Sequence, residues 1–317
     1  TPFNLNKDKY IIFPDILVSN EDIIDNYIFD ELSEIPERSQ INLSKELKCL
    51  SKYEFISKIN TIKNLFKEDE SLKKVVFSRV ENFKVNNNFS VFDFFIKLKE
   101  KYSNAFIFLF SVRPDELWIG SSPEPFLLVN KNNSYTFSIA GTQIFQNLDI
   151  ENVIWSDKDI LEQKIVSTYI ENILKNNLNL NIELEGPITH QAGNLIHLKT
   201  IFHIKDKNIF DKINDIIYKL HPTPSISGYP KEKAIDIIQK LEEYDRDLYS
   251  GIIGPLNINN RTDLFINIRS LKKINNNLWF FQGAGIIENS IPEKEWEETE
   301  NKKMTLLSII LKMVKYE

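Results

Sequence analysis

Cysteine is almost missing from this 317-residue chain, where Cys49 stands alone. No intrachain disulfide is available, and the lone thiol in Glu46-Leu47-Lys48-Cys49-Leu50 reads as a small buried hydrophobe. A chain without a disulfide framework suits a reducing cytoplasm. Glycine is scarce too, at nine residues, so each is expected where the backbone needs positive φ or a close approach. No G-x-G-x-x-G or P-loop run occurs, which removes the usual support for dinucleotide or nucleoside triphosphate binding. The four histidines lack metal-ligand spacing for zinc, and no G-x-S-x-G or Cys/His pattern points to nucleophilic catalysis. No apolar run approaches membrane-spanning length, and no signal-peptide pattern opens the chain at Thr1. Basic residues are dispersed and the net charge is -6, so neither a nucleic acid nor a membrane is an expected partner.

What is present is a chain 42% hydrophobic, enough for a large core. Residues 1–41 are irregular, with acidic patches over 21–37. Beyond them, strand-like and helix-like runs alternate. Residues 74–80, 105–112 and 116–120 read as strands, and 126–130 with 134–139 as a hairpin through Asn132-Asn133. Residues 263–271 and 278–282 read as a long hairpin turning at Asn275, Asn276 and Asn277. Helical spacing marks 91–102, 156–174, 208–220 and 231–241, and Ser290-Ile291-Pro292-Glu293 is a capping-box pattern that opens a last helix. Strict βαβ alternation, internal repeats and linkers are absent. The pattern predicts a single α+β domain with a largely antiparallel sheet, with 74–317 as its core and 1–73 as an N-terminal part of unclear role.

Some constellations could carry chemistry. Glu295, Glu298 and Lys302 share one face of the last helix, as Asp159 and Glu162 do on the helix from Ser156. Carboxylates one turn apart can hold Mg²⁺, which needs few protein ligands; a solvated charged face is the plainer reading. Gln282-Gly283-Ala284-Gly285 follows a strand, so its N–H groups could cradle a carboxylate or simply form a tight turn. Glu124 lies between two prolines, where a desolvated carboxyl can act as a general acid or belong to an ordinary surface turn. Lys74 opens an apolar strand, as a desolvated base or a strand-edge charge. His197 sits in an apolar run, as a core histidine or a substrate contact.

Taken in order along the chain, these segments resemble one family. They are KVVFSR at 74–79, GSSPEPF at 120–126, SIAGT at 138–142, SDKDILEQKIV at 156–166 and NLIHL at 194–198. LHPTPSISGYPKEKA at 220–234, YDRDLYSGIIG at 244–254, FINIRS at 265–270, FQGAGIIENS at 281–290 and EWEETENK at 295–302 continue the series. The series resembles the chorismate-utilising enzymes: isochorismate and salicylate synthases and the large subunits of anthranilate and aminodeoxychorismate synthases. The resemblance implies the chorismate-binding fold of anthranilate synthase component I, a large antiparallel sheet sandwich with helices packed outside.

It also implies roles. Glu162 and Glu298 match Mg²⁺ ligands, with Asp159 and Glu295 as supporting carboxylates. Arg269 and Tyr249 match positions that bind the enolpyruvyl carboxylate, beside the backbone of Gly283 and Gly285. Lys302 and His197 match pocket residues, and Ala140, Gly141 and Thr142 belong to the substrate-binding run. Lys74 resembles the base that activates water towards C2 of the ring, and Glu124 the acid that protonates the departing C4 hydroxyl. Amine-adding relatives usually carry another residue, often Gln, at the Lys74 position. Many aminodeoxychorismate synthases carry Lys where this chain has Ala140. The implied enzyme is an isochorismate synthase, with a salicylate synthase as the alternative and the anthranilate and aminodeoxychorismate branches behind it. No obligatory glutamine amidotransferase and no more than a weak homodimer are expected. Two departures stand out: Glu162 is followed by Gln163 where the family often has His, and Gln143-Ile144-Phe145-Gln146 lacks the basic residue common after the AGT run.

Overall fold

The computed structural model describes Phe3 and residues 47–113, 115–145, 150–192 and 195–314. The irregular stretch expected over residues 1–41 lies outside the described residues, Phe3 excepted.

Helix α1 (Lys52–Glu68) begins with a capping box: Ser51 Oγ accepts from the Glu54 amide at 3.2 Å, and the Glu54 carboxylate accepts from the Ser51 amide at 2.8 Å. Phe55, Ile59, Ile62 and Phe66 recur on its inner face and are buried. Phe55 packs on Phe77 and on Trp296, with ring centroids 5.4 and 5.5 Å apart. Strand β1 (Lys74–Lys84) follows, then α2 (Val91–Lys101), β2 (Phe106–Arg113), β3 (Glu116–Ser122), β4 (Pro125–Val129) and β5 (Ser134–Ile144). Helix α3 (Asp157–Asn172) runs on into a π-helical turn, Ile173–Asn177, before β6 (Ile182–Ala192) and β7 (Leu195–Ile204). The remainder is α4 (Ile209–Leu220), β8 (Gly228–Tyr229), α5 (Lys231–Leu241), β9 (Ile252–Ile253), β10 (Thr262–Ile266), β11 (Ser270–Ile274), β12 (Asn277–Ile286) and α6 (Pro292–Val314).

The strands form two six-stranded sheets, ordered β2-β3-β11-β12-β1-β8 and β6-β7-β5-β4-β10-β9. The pairings are antiparallel in both. The fold is therefore α+β, as its alternation of elements predicts. One continuous apolar core joins α1, β1, β4, α3 and α4, so the helices cover sheets that share an interior.

Three expectations are corrected. Residues 263–271 are not one strand: β10 lies in the second sheet and β11 in the first, and the chain crosses between sheets at Asn267-Ile268-Arg269. Gln282–Ile286 are not a turn but the end of β12, paired in register with Val75 to Arg79 of β1. Cys49 is exposed, because Leu50 beside it takes the core position as the chain enters α1.

The crossing at Arg269 has a neighbour. The chain also passes from the first sheet to the second between β3 and β4, through Pro123-Glu124. The two crossings are laced together: the Ile266 amide donates to Glu124 O at 3.0 Å, the Ser121 amide to Arg269 O at 3.0 Å, and Ser122 Oγ to Ile266 O at 2.6 Å. Both strand breaks thus satisfy their backbone groups on each other.

Candidate active site

A cavity of about 80 Å³ lies where these crossings meet β1, β12, α3 and α6. Glu124, Ala140, Gly141, Thr142, Glu162 and His197 line it, together with Tyr249, Arg269, Gly283, Gly285, Glu298 and Lys302. Lys74 stands against its wall, with Nζ 2.8 Å from Glu162 Oε1. A second cavity of about 450 Å³ adjoins it and holds the remaining two carboxylates, Asp159 and Glu295, with Thr142 and Glu298 common to both. A larger cavity, about 660 Å³ between α2 and the end of α6, contains none of these residues.

Glu124 is buried by the β3–β4 crossing. Burial raises the pKa of its carboxyl. A hydrogen bond from Ser225 and the charges of Lys74, Lys302 and Arg269 oppose that rise without cancelling it. Ser225 Oγ donates to Glu124 Oε1 at 2.6 Å and stands 2.7 Å from Thr223 Oγ1. The loop that carries Ser225 is fixed by Arg246, which donates to Ile226 O and Val76 O at 2.7 and 2.6 Å and is paired with the buried Glu242. A protonated carboxyl held by a hydroxyl donor on one oxygen can deliver its proton from the other.

Arg269 is brought in by the β10–β11 crossing, where its backbone takes φ 51°, an uncommon conformation for a side-chain-bearing residue. Its guanidinium is buried, which lowers its pKa to about 10, and Nη1 has no hydrogen-bond partner within the protein. A buried, charged and unsatisfied donor costs free energy until an anion meets it. Tyr249 stands nearby, stacked on Phe281 at 5.2 Å, and burial raises its pKa to about 12, so it remains a hydroxyl donor.

His197, on β7, is also buried, and that burial lowers its pKa to about 3. The neutral ring has Nδ1 2.9 Å from Gly141 O, so Nδ1–H donates there and Nε2 is left as an unpaired acceptor. Gly141 takes φ 73° at the irregularity of β5 between Ala140 and Gln143, which turns its carbonyl to His197.

The other end of the cavity is built by α3 and α6. Glu298 accepts from Lys302 at 2.6 Å, and Lys302 also donates to Gly283 O at 2.8 Å. Burial alone would raise the Glu298 pKa, but the charges of Lys302 and Lys158 hold it low. Glu295 faces Lys158 at 2.7 Å; burial and the Glu298 charge push its carboxyl up, and its Oε2 is buried without a partner. Asp159 is taken up locally, accepting from Ser156 Oγ at 2.6 Å as part of the α3 N-cap. Gly285 belongs here for reasons of space: a Cβ at this position would run into the Glu162 carboxylate and lie 3.0 Å from Lys74 Cε.

Among the described residues, no group of three or more His, Cys, Asp and Glu side chains is arranged to hold a metal ion. The donors still suit a hard divalent cation in another way. Glu162 and Glu298 come from different helices to one cavity, and Glu295 offers an orphaned carboxylate oxygen beside them. Mg²⁺ commonly takes only one or two protein carboxylates and completes its octahedron with water or substrate.

Two residues with no assigned part in the sequence reading belong to the site: Ser225, in contact with Glu124, and Lys158, in contact with Glu295. Neither hydroxyl nor ammonium carries a sequence signal, since each is defined by a partner more than 100 positions away. Gln163, which stands where the resemblance leads one to expect His, serves to anchor α3. It donates to Ser138 Oγ at 2.8 Å and Thr200 Oγ1 at 3.0 Å.

Comparison with known proteins identifies a family. The family model described as chorismate binding enzyme matches residues 9–311. The vibriobactin-specific isochorismate synthase of Vibrio cholerae is 27% identical over 260 residues, which cover 79% of this chain and 65% of that protein. Isochorismate synthase EntC of Escherichia coli is 32% identical over 200 residues, covering 60% of this chain and 50% of the relative. The structure of MenF, the menaquinone-specific isochorismate synthase of Escherichia coli, superposes with a TM-score of 0.74 at 21% identity, covering 90% of this chain and 68% of MenF. The chain spans between half and two thirds of the length of these two curated relatives. Among the described residues, no helix is long and apolar enough to cross a membrane.

Proposed function

We propose, since the chain belongs to the chorismate binding enzyme family, that it is an isochorismate synthase, converting chorismate reversibly into isochorismate with Mg²⁺. The observation that carries this reading is a buried, protonation-favoured Glu124 in the cavity wall together with a fully buried Lys74 that reaches Glu162 in the same wall. That is an acid and a base for exchanging one hydroxyl for another.

In this reading, Lys74 gives up its ion pair with Glu162, enters the reaction as the neutral amine, and takes a proton from water as its oxygen bonds to C2 of the ring. The ring double bonds shift, the C4–O bond breaks, and Glu124 supplies the proton with which the hydroxyl leaves as water. Hydroxide is a poor leaving group, so an acid on that side is required. Ser225 then stabilises the Glu124 carboxylate by its hydrogen bond. Arg269 and Tyr249 receive the enolpyruvyl carboxylate. The neutral His197 accepts from a substrate hydroxyl through Nε2, and Lys302 adds a charge against the dianion. Glu162 and Glu298 would hold Mg²⁺, which when bound supplies positive charge against the ring carboxylate. Residues 74–317 form the catalytic core, and α1 supports it through Phe55.

The test is a product assay. Purified protein is incubated with chorismate and Mg²⁺, and the products are resolved by chromatography. Isochorismate alone is the expected result. Salicylate with pyruvate would make the chain a salicylate synthase, and absence of turnover would overturn both.

A further inference from the structure

Three glutamates of the site each stand against a lysine. Glu162 faces Lys74 at 2.8 Å, Glu298 faces Lys302 at 2.6 Å, and Glu295 faces Lys158 at 2.7 Å. Lys74 and Lys302 already have parts in the chemistry above. Lys158 has none.

Lys158 is the second residue of α3 and differs from the other two in what surrounds it. Its side chain is 24% exposed and lines the cavity of about 450 Å³, whereas Lys74 is fully buried and Lys302, 20% exposed on the cavity of about 80 Å³, is also tied to Gly283 O. Burial lowers the pKa of its ammonium, but the charges of Glu298, Glu295 and Glu162 outweigh this and raise it, so Lys158 is a firmly held cation in the field of all three. Glu295 is 1% exposed, and its Oε2 remains without a hydrogen-bond partner. These three ion pairs reduce the negative charge that would attract a divalent cation, although Asp159 and Glu297 also line the adjoining cavity. A cation that enters must displace one of the lysines or accept their repulsion. Of the three, Lys158 has both a flexible stem and open volume beside it.

We infer that Lys158 is an internal counter-ion, which neutralises the carboxylate cluster of the metal-free protein and swings into the adjoining cavity when a divalent cation binds. This rests on the reading of Glu162 and Glu298 as metal ligands. Lys158 then sets metal affinity without touching the reacting atoms.

The experiment is Mg²⁺ titration of the full chain by calorimetry, without chorismate, for the wild type, Lys158→Met and Lys158→Arg. Removing the competing charge is expected to tighten Mg²⁺ binding by ~10-fold or more, while Lys158→Arg stays close to the wild type. A second measurement needs no variant: acetylation of Lys158 in the wild type, mapped by mass spectrometry, is expected to quicken several-fold with saturating Mg²⁺ while Lys74 stays protected. Binding by Lys158→Met no tighter than wild type, or a Lys158 acetylation rate that Mg²⁺ leaves unchanged, overturns the inference. If the wild type binds no divalent cation, the metal reading of Glu162 and Glu298 falls as well; if it binds one and Lys158 does not respond, only the inference falls.

Discussion

The two ends of the candidate cavity are held by different means. At one end, Glu124 and Arg269 sit at the crossings between sheets, fixed by backbone hydrogen bonds, and their ionisable groups have few ionic partners. Arg269 keeps an unsatisfied donor, and Glu124 has a hydroxyl for company. At the other end, Glu162 on α3 and Glu295 and Glu298 on α6 are each matched by a lysine. The first end is prepared for an anion and a proton transfer before any ligand arrives. At the second, these three glutamates are ion-paired without one, so a ligand that reaches them must exchange partners with the protein. Preorganisation and exchange make different demands on sequence: one needs rigid backbone, the other needs several charges with room to move.

The contrast can be broken by substitution. The largest effects should come from the acid and base themselves. Lys74→Ala and Glu124→Gln are each expected to lower kcat by roughly 10²–10⁴, measured by isochorismate formation, with circular dichroism unchanged; full activity in either variant would show the assignment to be wrong. Next comes Gly285→Ala. Its methyl would displace the Glu162 carboxylate, a movable side chain, so activity should fall by roughly 10²-fold while the melting temperature changes little. A large fall in melting temperature would mean that the glycine serves the strand, not the site.

Arg269→Gln should act at the prepared end and on substrate affinity. Losing a charged hydrogen bond raises KM by roughly 10- to 100-fold, and kcat should change less. The smallest effect is expected from Ser225→Ala, a loss of a few-fold in kcat. Its diagnostic is the pH profile. Glu124 works protonated, so the rate falls as pH rises through its pKa. The Ser225 hydrogen bond lowers that pKa, and its removal should move the falling limb to higher pH. An unmoved limb would separate Ser225 from the acid.

Much of the fold was legible because it is local. The α3 start at Ser156 is a capping pattern and caps as expected. Helix α6 also begins at the Ser290-Ile291-Pro292-Glu293 pattern, but there Ser290 Oγ accepts from the Ile287 amide in the preceding turn and the helix opens at Pro292. Helix α1 was equally legible, since Ser51 and Glu54 form a capping box before a clear apolar face, yet nothing in the function drew attention to it. The break at residues 267–269 was not legible. A run of β-formers has the same local pattern whether it stays in one sheet or changes sheets, and only the partners on either side decide.

The sequence by itself determined the chemistry on offer. The ordered series of motifs put Lys74, Glu124, Glu162, Arg269 and Glu298 into one expected site, and the scarcity of glycine marked Gly141 and Gly285 as positions of need. Only the tertiary structure decided why those positions matter and who stands beside them. Gly285 lies in a regular strand, kept bare by a carboxylate from another helix. Ser225 and Lys158 gain their parts from Glu124 and Glu295, 101 and 137 residues away. Propensity and periodicity act over a few residues, whereas charge, burial and hydrogen bonding act across whatever the fold brings within about 3 Å.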